Sequence, residues 1–145
     1  MPNYELLKKP PFSLDDASLA WVRETLSGMS EDEKIGQLFH LVTYTSDEEA
    51  LRALCEMYMP GGMMARTLPL DEACRVSNAL QRYSKIPMLI SANFEAGGDG
   101  MVAEGTNVGP NMMIAATGDP ENARRQGEVA AAEGTAVGAN YAFAP

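Results

Sequence analysis

Apolar and polar positions along this chain alternate between two periods. Residues 1–12 read as an arm that stops at Pro10-Pro11, and residues 13–145 as the folded part. Ser13, with Asp16 three residues on, fits a helix N-cap. Leu14, Ala17, Leu19, Trp21, Val22 and Leu26 come next at mostly helical spacing, and Gly28 ends the run. Ser30 and Glu33 make a fuller capping box, leading into Ile35, Leu38 and Phe39. LFHLVTY comes after it, and its apolar, β-branched and aromatic make-up predicts a strand. The alternation then repeats. Ser46 and Glu49 open the predicted helix DEEALRALCEMY, Met59-Pro60-Gly61-Gly62 breaks it, and GMMAR reads as a second strand. Asp71 is the expected cap of the helix EACRVSNALQRYS, and Pro87 precedes the strand MLISAN. A glycine-rich loop runs to Pro110. Asp119-Pro120 pairs an N-cap with proline at the first helical position, a strong start signal for a helix reaching about Gly138. ANYAFAP reads as a last strand.

Strand then helix, repeated, is the pattern of a parallel sheet with covering helices, so the predicted class is α/β with about four parallel strands. An open, flavodoxin-like sheet could close with that count, whereas a whole (β/α)8 barrel could not, since it usually takes about 250 residues. The sequence stops on Pro145, directly after the last predicted strand. A parallel strand needs neighbours and cover on both faces. The expectation is therefore the first part of something larger.

Composition narrows the function. With 145 residues, 46% of them hydrophobic, the chain can bury a real core. A net charge of −9 argues against a nucleic-acid surface, which needs a basic footprint. Cys55 and Cys74 fit no metal spacing and read as buried thiols. The opening MPNYELLKKPPF has no apolar segment of signal-peptide type, and no stretch approaches a membrane span of ~18 apolar residues. The expected location is cytoplasmic, with no membrane partner, no metal and no cofactor.

The candidate chemistry gathers where the third strand ends. In parallel α/β folds ligands bind beyond the carboxyl ends of the strands. Asn93 and Glu95 hold that place, with Gly97, Gly98 and Gly100 after them. An amide and a carboxylate there can hydrogen-bond sugar hydroxyls, and the glycines could let the backbone approach a ligand closely or take φ > 0. A polar turn is the alternative. Arg66, after the second strand, could pair with Glu95, reach a substrate or simply lie on the surface. Thr43 and Tyr44 end the first strand and could line the same mouth. His40 is the sole histidine and has no partner at useful spacing, so it reads as structural, in the core or a barrel floor. Met57, Met59, Met63, Met64, Met112 and Met113 read as core fillers. Glu128 and Glu133 are too poorly phased to share one helix face.

MSEDEKIGQLFHL, PGGMM, SKIPMLISANFEAGG and MIAATGDPENARRQGEVAAAEGTAVGANYAFAP, in that order, resemble the N-terminal barrel of family 3 glycoside hydrolases. That family holds β-N-acetylhexosaminidases and β-glucosidases. The resemblance runs from about Leu14 to the end, and its IGQL, AATGDPE and GANYAFAP pieces are specific in combination. It implies the N-terminal half of a TIM-type (β/α)8 barrel, with about four parallel strands and covering helices.

The resemblance implies hydrolysis of terminal β-linked sugars with retention, through a glycosyl-enzyme intermediate. N-acetylhexosamine is the expected sugar and glucose the alternative. It also implies an Asp nucleophile, and in the hexosaminidase branch a His acid/base, both beyond the FAP segment. No catalytic residue is then expected in this chain, which alone would be inactive. In the family's Asp-x-Glu-Gly-Gly pattern the Asp binds sugar hydroxyls. Asn93 stands at that position here, uncharged but able to donate and accept. Where peptidoglycan-recycling members carry an Arg, this sequence offers Glu104. Asn93, Glu95 and Arg66 are the expected substrate-binding residues. A free-standing half-barrel that binds sugar, or that self-associates through unpaired strand edges, is the competing expectation.

Overall fold

The computed structural model describes residues 3–144. They divide into two compact units, one up to Ile35 and one from Gly36 on. The first holds a 3-10 turn, Tyr4–Lys8, and helix α1, Asp16–Ser27. Helix α2, Glu31–Gly36, leads into the second.

In the second unit the elements run β1 (His40–Thr43), α3 (Glu48–Tyr58), β2 (Gly62–Ala65), α4 (Leu70–Tyr83), β3 (Leu89–Asn93), α5 (Asn111–Ala116), α6 (Pro120–Ala136) and β4 (Tyr141–Phe143). All three strand pairings are parallel, and the strands lie in the order β1-β2-β3-β4. This order decides between an open doubly wound sheet and part of a barrel. A doubly wound sheet reverses its strand order at a switch point. Here each strand is laid beside its predecessor in one direction, the winding of a β/α barrel. The sheet is open, with β1 and β4 at its edges.

One face carries the helices. Met63 and Ala65 of β2 and Ile90 and Ala92 of β3 meet Leu51 and Cys55 of α3 and Ala73, Val76 and Leu80 of α4 in a single cluster. A fully buried aliphatic side chain such as Leu51 or Ile90 contributes roughly 1.5–3 kcal/mol. The other face alternates with it. Val42, Leu89, Tyr141 and Phe143 are all exposed there. Asn140 joins β4 to β3 below the ladder, accepting from the Ile90 N–H at 2.8 Å and donating to the Met88 carbonyl at 3.0 Å.

Several local expectations change. The Ser30–Glu33 box forms as read, with reciprocal bonds of 2.7 and 3.1 Å. Asp119 caps α6 with Pro120 at its first position. Ser13 does not cap α1, however. Its φ is 51°, and Asp15 accepts from Ser18 instead. Asp47 rather than Ser46 caps α3, accepting from Ala50 at 2.8 Å. Asp71 lies inside α4, one residue past its start, and bonds Arg75. Cys55 is buried but Cys74 only partly so. Met63 is in the core, whereas Met57, Met112 and Met113 are exposed. The short helix α5, beyond the glycine-rich loop, has no counterpart among the predicted elements.

Candidate functional site at the strand ends

The C-terminal ends of the four strands share one edge of the sheet. Asn93 closes β3 and stands beside Phe143 of β4 in the ladder. It is half-buried, and its side-chain amide makes no hydrogen bond among the described residues. It is therefore an uncommitted donor and acceptor held at the end of a strand. Phe94 turns inward and is buried against Gly134 of α6, with its N–H on the Phe143 carbonyl at 3.1 Å. Glu95 faces out again and is exposed.

Arg66 comes directly after β2 and is exposed. It does not pair with Glu95 among the described residues. Its guanidinium lies 6.0 Å from the centre of the Tyr44 ring, just past the end of β1. That is a cation–π contact at the outer limit of useful range. Thr43 is buried and exchanges hydrogen bonds with Thr45, fixing the turn out of β1. Tyr44 is thus exposed beside Arg66, just past the strand next but one to that of Asn93.

In the loop after β3 the glycines serve internal packing, and one of them takes the expected positive φ. A Cβ on Gly100 would overlap the Asn93 carbonyl, one on Gly97 the Thr106 carbonyl, and one on Gly98 the Glu133 side chain. Gly97 has a φ of 136°, open only to glycine. The loop folds back on itself through Gly98 N–H to Thr106 O (3.0 Å) and Val108 N–H to Ala96 O (2.7 Å). It also pairs with the segment after β2, where Thr67 Oγ1 lies 3.2 Å from the carbonyls of both Asp99 and Gly100. The result is a compact plate beside Asn93.

Two residues that hold this plate were missed in the sequence. Gln126 is buried, and its side-chain amide donates to the Glu95 carbonyl at 2.6 Å and the Gly109 carbonyl at 2.9 Å. Glu133 accepts from the Thr106 N–H at 2.8 Å and the Thr106 hydroxyl at 2.5 Å. Those bonds, the hydroxyl's first, hold its carboxyl below the usual value. The signal was available: Gln126 and Glu133 are seven residues apart, two helical turns, and so share one face. Glu104 also has a local task. It accepts from the Leu70 N–H at 2.9 Å and caps α4, whose N-cap Pro69 offers no side-chain bond.

These contacts engage three carboxylates of the loop and its supports. Asp99 is held by the Asn107 amide at 2.5 Å, Glu104 by Leu70 and Glu133 by Thr106. Among the described residues no three His, Cys, Asp or Glu side chains form a group able to hold a metal ion.

His40 lies at the other end of the sheet, as the first residue of β1. Its ladder partner is Gly62, and the missing side chain lets the imidazole lean across β2. Nε2 reaches Ser91 Oγ on β3 at 2.7 Å. The ring also meets Tyr141 and Phe143 edge-on, at centroid distances of 5.8 and 5.5 Å. Burial pushes its pKa below the ordinary 6.5, which favours the neutral ring. It ties three strands together on the face that carries no helices.

Comparison with known proteins places these features in a family. Residues 30–145 match the glycosyl hydrolase family 3 N terminal domain. The chain is 49% identical over 139 residues to a β-N-acetylglucosaminidase/β-glucosidase of Cellulomonas fimi, covering 96% of this chain and 25% of that protein. Among solved structures, a β-glucoside phosphorylase, BglX, bound to 2FGlc superimposes with a TM-score of 0.91 at 35% identity, covering 99% of this chain and 26% of that one. A β-N-acetylhexosaminidase from Beutenbergia cavernae shares the fold, with a TM-score of 0.63 at 21% identity over 81% of this chain and 38% of that one. The chain spans about a quarter of the length of the first two relatives.

Proposed function

The chain belongs to glycosyl hydrolase family 3, and on that premise we propose that it supplies the first four β/α units of an enzyme acting on terminal β-linked sugars. N-acetylhexosamine is the preferred sugar and glucose the alternative. The Asn93 amide, unpaired among the described residues at the end of β3, carries this reading. It would bind ring hydroxyls, with Glu95 and Arg66 as further contacts. The 49% identity to a protein named for both activities supports the sugar class and leaves its choice between the two open.

Retaining chemistry needs two carboxyl groups about 5–5.5 Å apart, or a carboxylate nucleophile with another acid. Asp99, Glu104 and Glu133 are engaged within the fold. As the family resemblance implies, the nucleophile and the acid/base lie outside these 145 residues on this reading, so that the chain binds sugar without turning it over.

Phosphorolysis is the second reading, favoured by the 35% identical β-glucoside phosphorylase. Phosphate would then replace water as the acceptor, breaking the glycosidic bond to give a sugar 1-phosphate and the released alcohol. One assay separates the cases. Aryl β-N-acetylglucosaminide and aryl β-glucoside are offered to the protein that carries this chain, with and without inorganic phosphate. Hydrolysis releases free sugar in both conditions, whereas phosphorolysis yields sugar 1-phosphate only with phosphate. Asn93→Ala should raise KM in either case. Turnover by the isolated 145-residue chain would overturn the placement of the catalytic groups elsewhere.

A further inference from the structure

We propose that Glu133 is a positioning residue for the sugar-binding edge, acting through Thr106 and the folded loop on the Asn93–Glu95 segment. The inference rests on the proposed sugar site and adds a helix to it. Asn93 gets its direction from β3, but nothing in β3 fixes the chain beyond it. A long glycine-rich loop comes next, and glycines lose the most freedom on ordering. Something must hold that loop in one conformation.

One face of α6 does so at both ends of the loop. Near its start, buried Gln126 takes the Glu95 carbonyl; near its finish, the same amide takes Gly109. Two turns on, Glu133 takes both donors of Thr106. Thr106 in turn accepts the Gly98 N–H through its carbonyl at 3.0 Å, and Gly98 has no Cβ to keep the Glu133 side chain out. Gly100, two residues further, abuts the Asn93 carbonyl. The line of force is Glu133, Thr106, Gly98, Gly100, Asn93. Each link is a hydrogen bond, a packed contact or the short tie of the chain.

Glu133 also differs from an ordinary surface carboxylate in having no cation paired with it among the described residues. Both its oxygens go to one threonine, so its task is geometric. A glutamine can repeat that geometry: its carbonyl accepts the Thr106 N–H, and its NH2 donates to the Thr106 hydroxyl. An alanine cannot.

The test uses the isotope-labelled 145-residue chain as wild type, Glu133→Gln and Glu133→Ala. Amide hydrogen exchange is read at Gly98, Thr106 and Val108, with Met63 and Met64 of β2 as internal controls. The Asn93 side-chain NH2 shift and the affinity for N-acetylglucosamine are read on the same samples. Glu133→Ala should raise exchange at the three loop amides about tenfold or more with β2 unchanged, move the Asn93 signal and weaken the sugar severalfold. Glu133→Gln should stay near wild type in every readout. Unchanged loop exchange and an unmoved Asn93 signal in Glu133→Ala would overturn the proposal. So would a rise in β2 exchange equal to that of the loop, since that marks general loss of structure. If the wild type binds no sugar, the proposed function falls, while exchange and the Asn93 shift still decide the positioning role.

Discussion

Replacing Gly62 by alanine should destabilise the sheet through a residue on the neighbouring strand. A Cβ at Gly62 would occupy the space of His40 Nδ1, so the imidazole must swing out. Three interactions go with it. The His40–Ser91 hydrogen bond is lost, which leaves a fully buried Ser91 hydroxyl without a partner, at about 1–3 kcal/mol. The edge-on contacts with Tyr141 and Phe143 are worth about 0.5–1.5 kcal/mol each. Alanine in a strand returns about 0.5–1 kcal/mol relative to glycine. The net expectation is a loss of roughly 2–4 kcal/mol. A double-mutant cycle isolates the cause. Gly62→Ala in a His40→Ala background should be close to neutral, because the obstructing ring is gone, and the coupling should reach about 2–4 kcal/mol. Urea unfolding of the four proteins, compared at constant m-value, supplies the numbers. Additivity within about 0.5 kcal/mol would refute the reasoning, since it would mean that Gly62 is not there for His40.

Three other perturbations have defined outcomes. The folded pKa of His40 lies below the ordinary 6.5, so the unfolded chain binds the proton more tightly. Its contribution to stability is complete above 6.5 and is lost as pH falls toward the depressed folded value; urea midpoints between about pH 7.5 and about pH 5 should drop, and drop less in His40→Gln. Glu104→Ala removes the acceptor at the start of α4 and should cost about 1 kcal/mol in thermal or urea unfolding, with sugar affinity unchanged. Gly100→Ala places a methyl group on the Asn93 carbonyl and should cost about 1–3 kcal/mol, while weakening N-acetylglucosamine in a titration; wild-type affinity in that variant would count against the loop as a support for Asn93.

Much of the fold was legible because it is written locally. Short apolar runs bounded by Pro and Gly gave all four strands, and Ser30 with Glu33 gave a cap that forms as read. Where two neighbouring residues could each cap, the choice went wrong. Ser46 and Asp47 both carry a suitable oxygen, and only the backbone decides between them. The cap of α4 was beyond any local rule, since Glu104 comes from a loop 34 residues away. The same holds for His40, whose partner Ser91 is 51 positions on.

The site was legible in part for a related reason. Asn93, Glu95 and Arg66 were placed at strand ends by the alternation alone, and the strands put them there. The role of the glycines was legible only in part. A positive φ was among the expected uses and Gly97 takes it, but the packing of Gly97, Gly98 and Gly100 against Thr106, Glu133 and Asn93 was not readable. Closing a loop is a tertiary event, and its partners sit on α6. Strand order was likewise unreadable from the alternation, which suits a doubly wound sheet equally well. Only the sequential ladder β1-β2-β3-β4 separates the two.

The most direct test of the central claim is a titration of the labelled 145-residue chain with N-acetylglucosamine, tracking the side-chain signals of Asn93 and Arg66. The account predicts saturable shifts at both, absent in Asn93→Ala, with the His40 and Ser91 signals still. Shifts confined to other parts of the chain, or binding that survives Asn93→Ala undiminished, would contradict a sugar site at the C-terminal edge of β3.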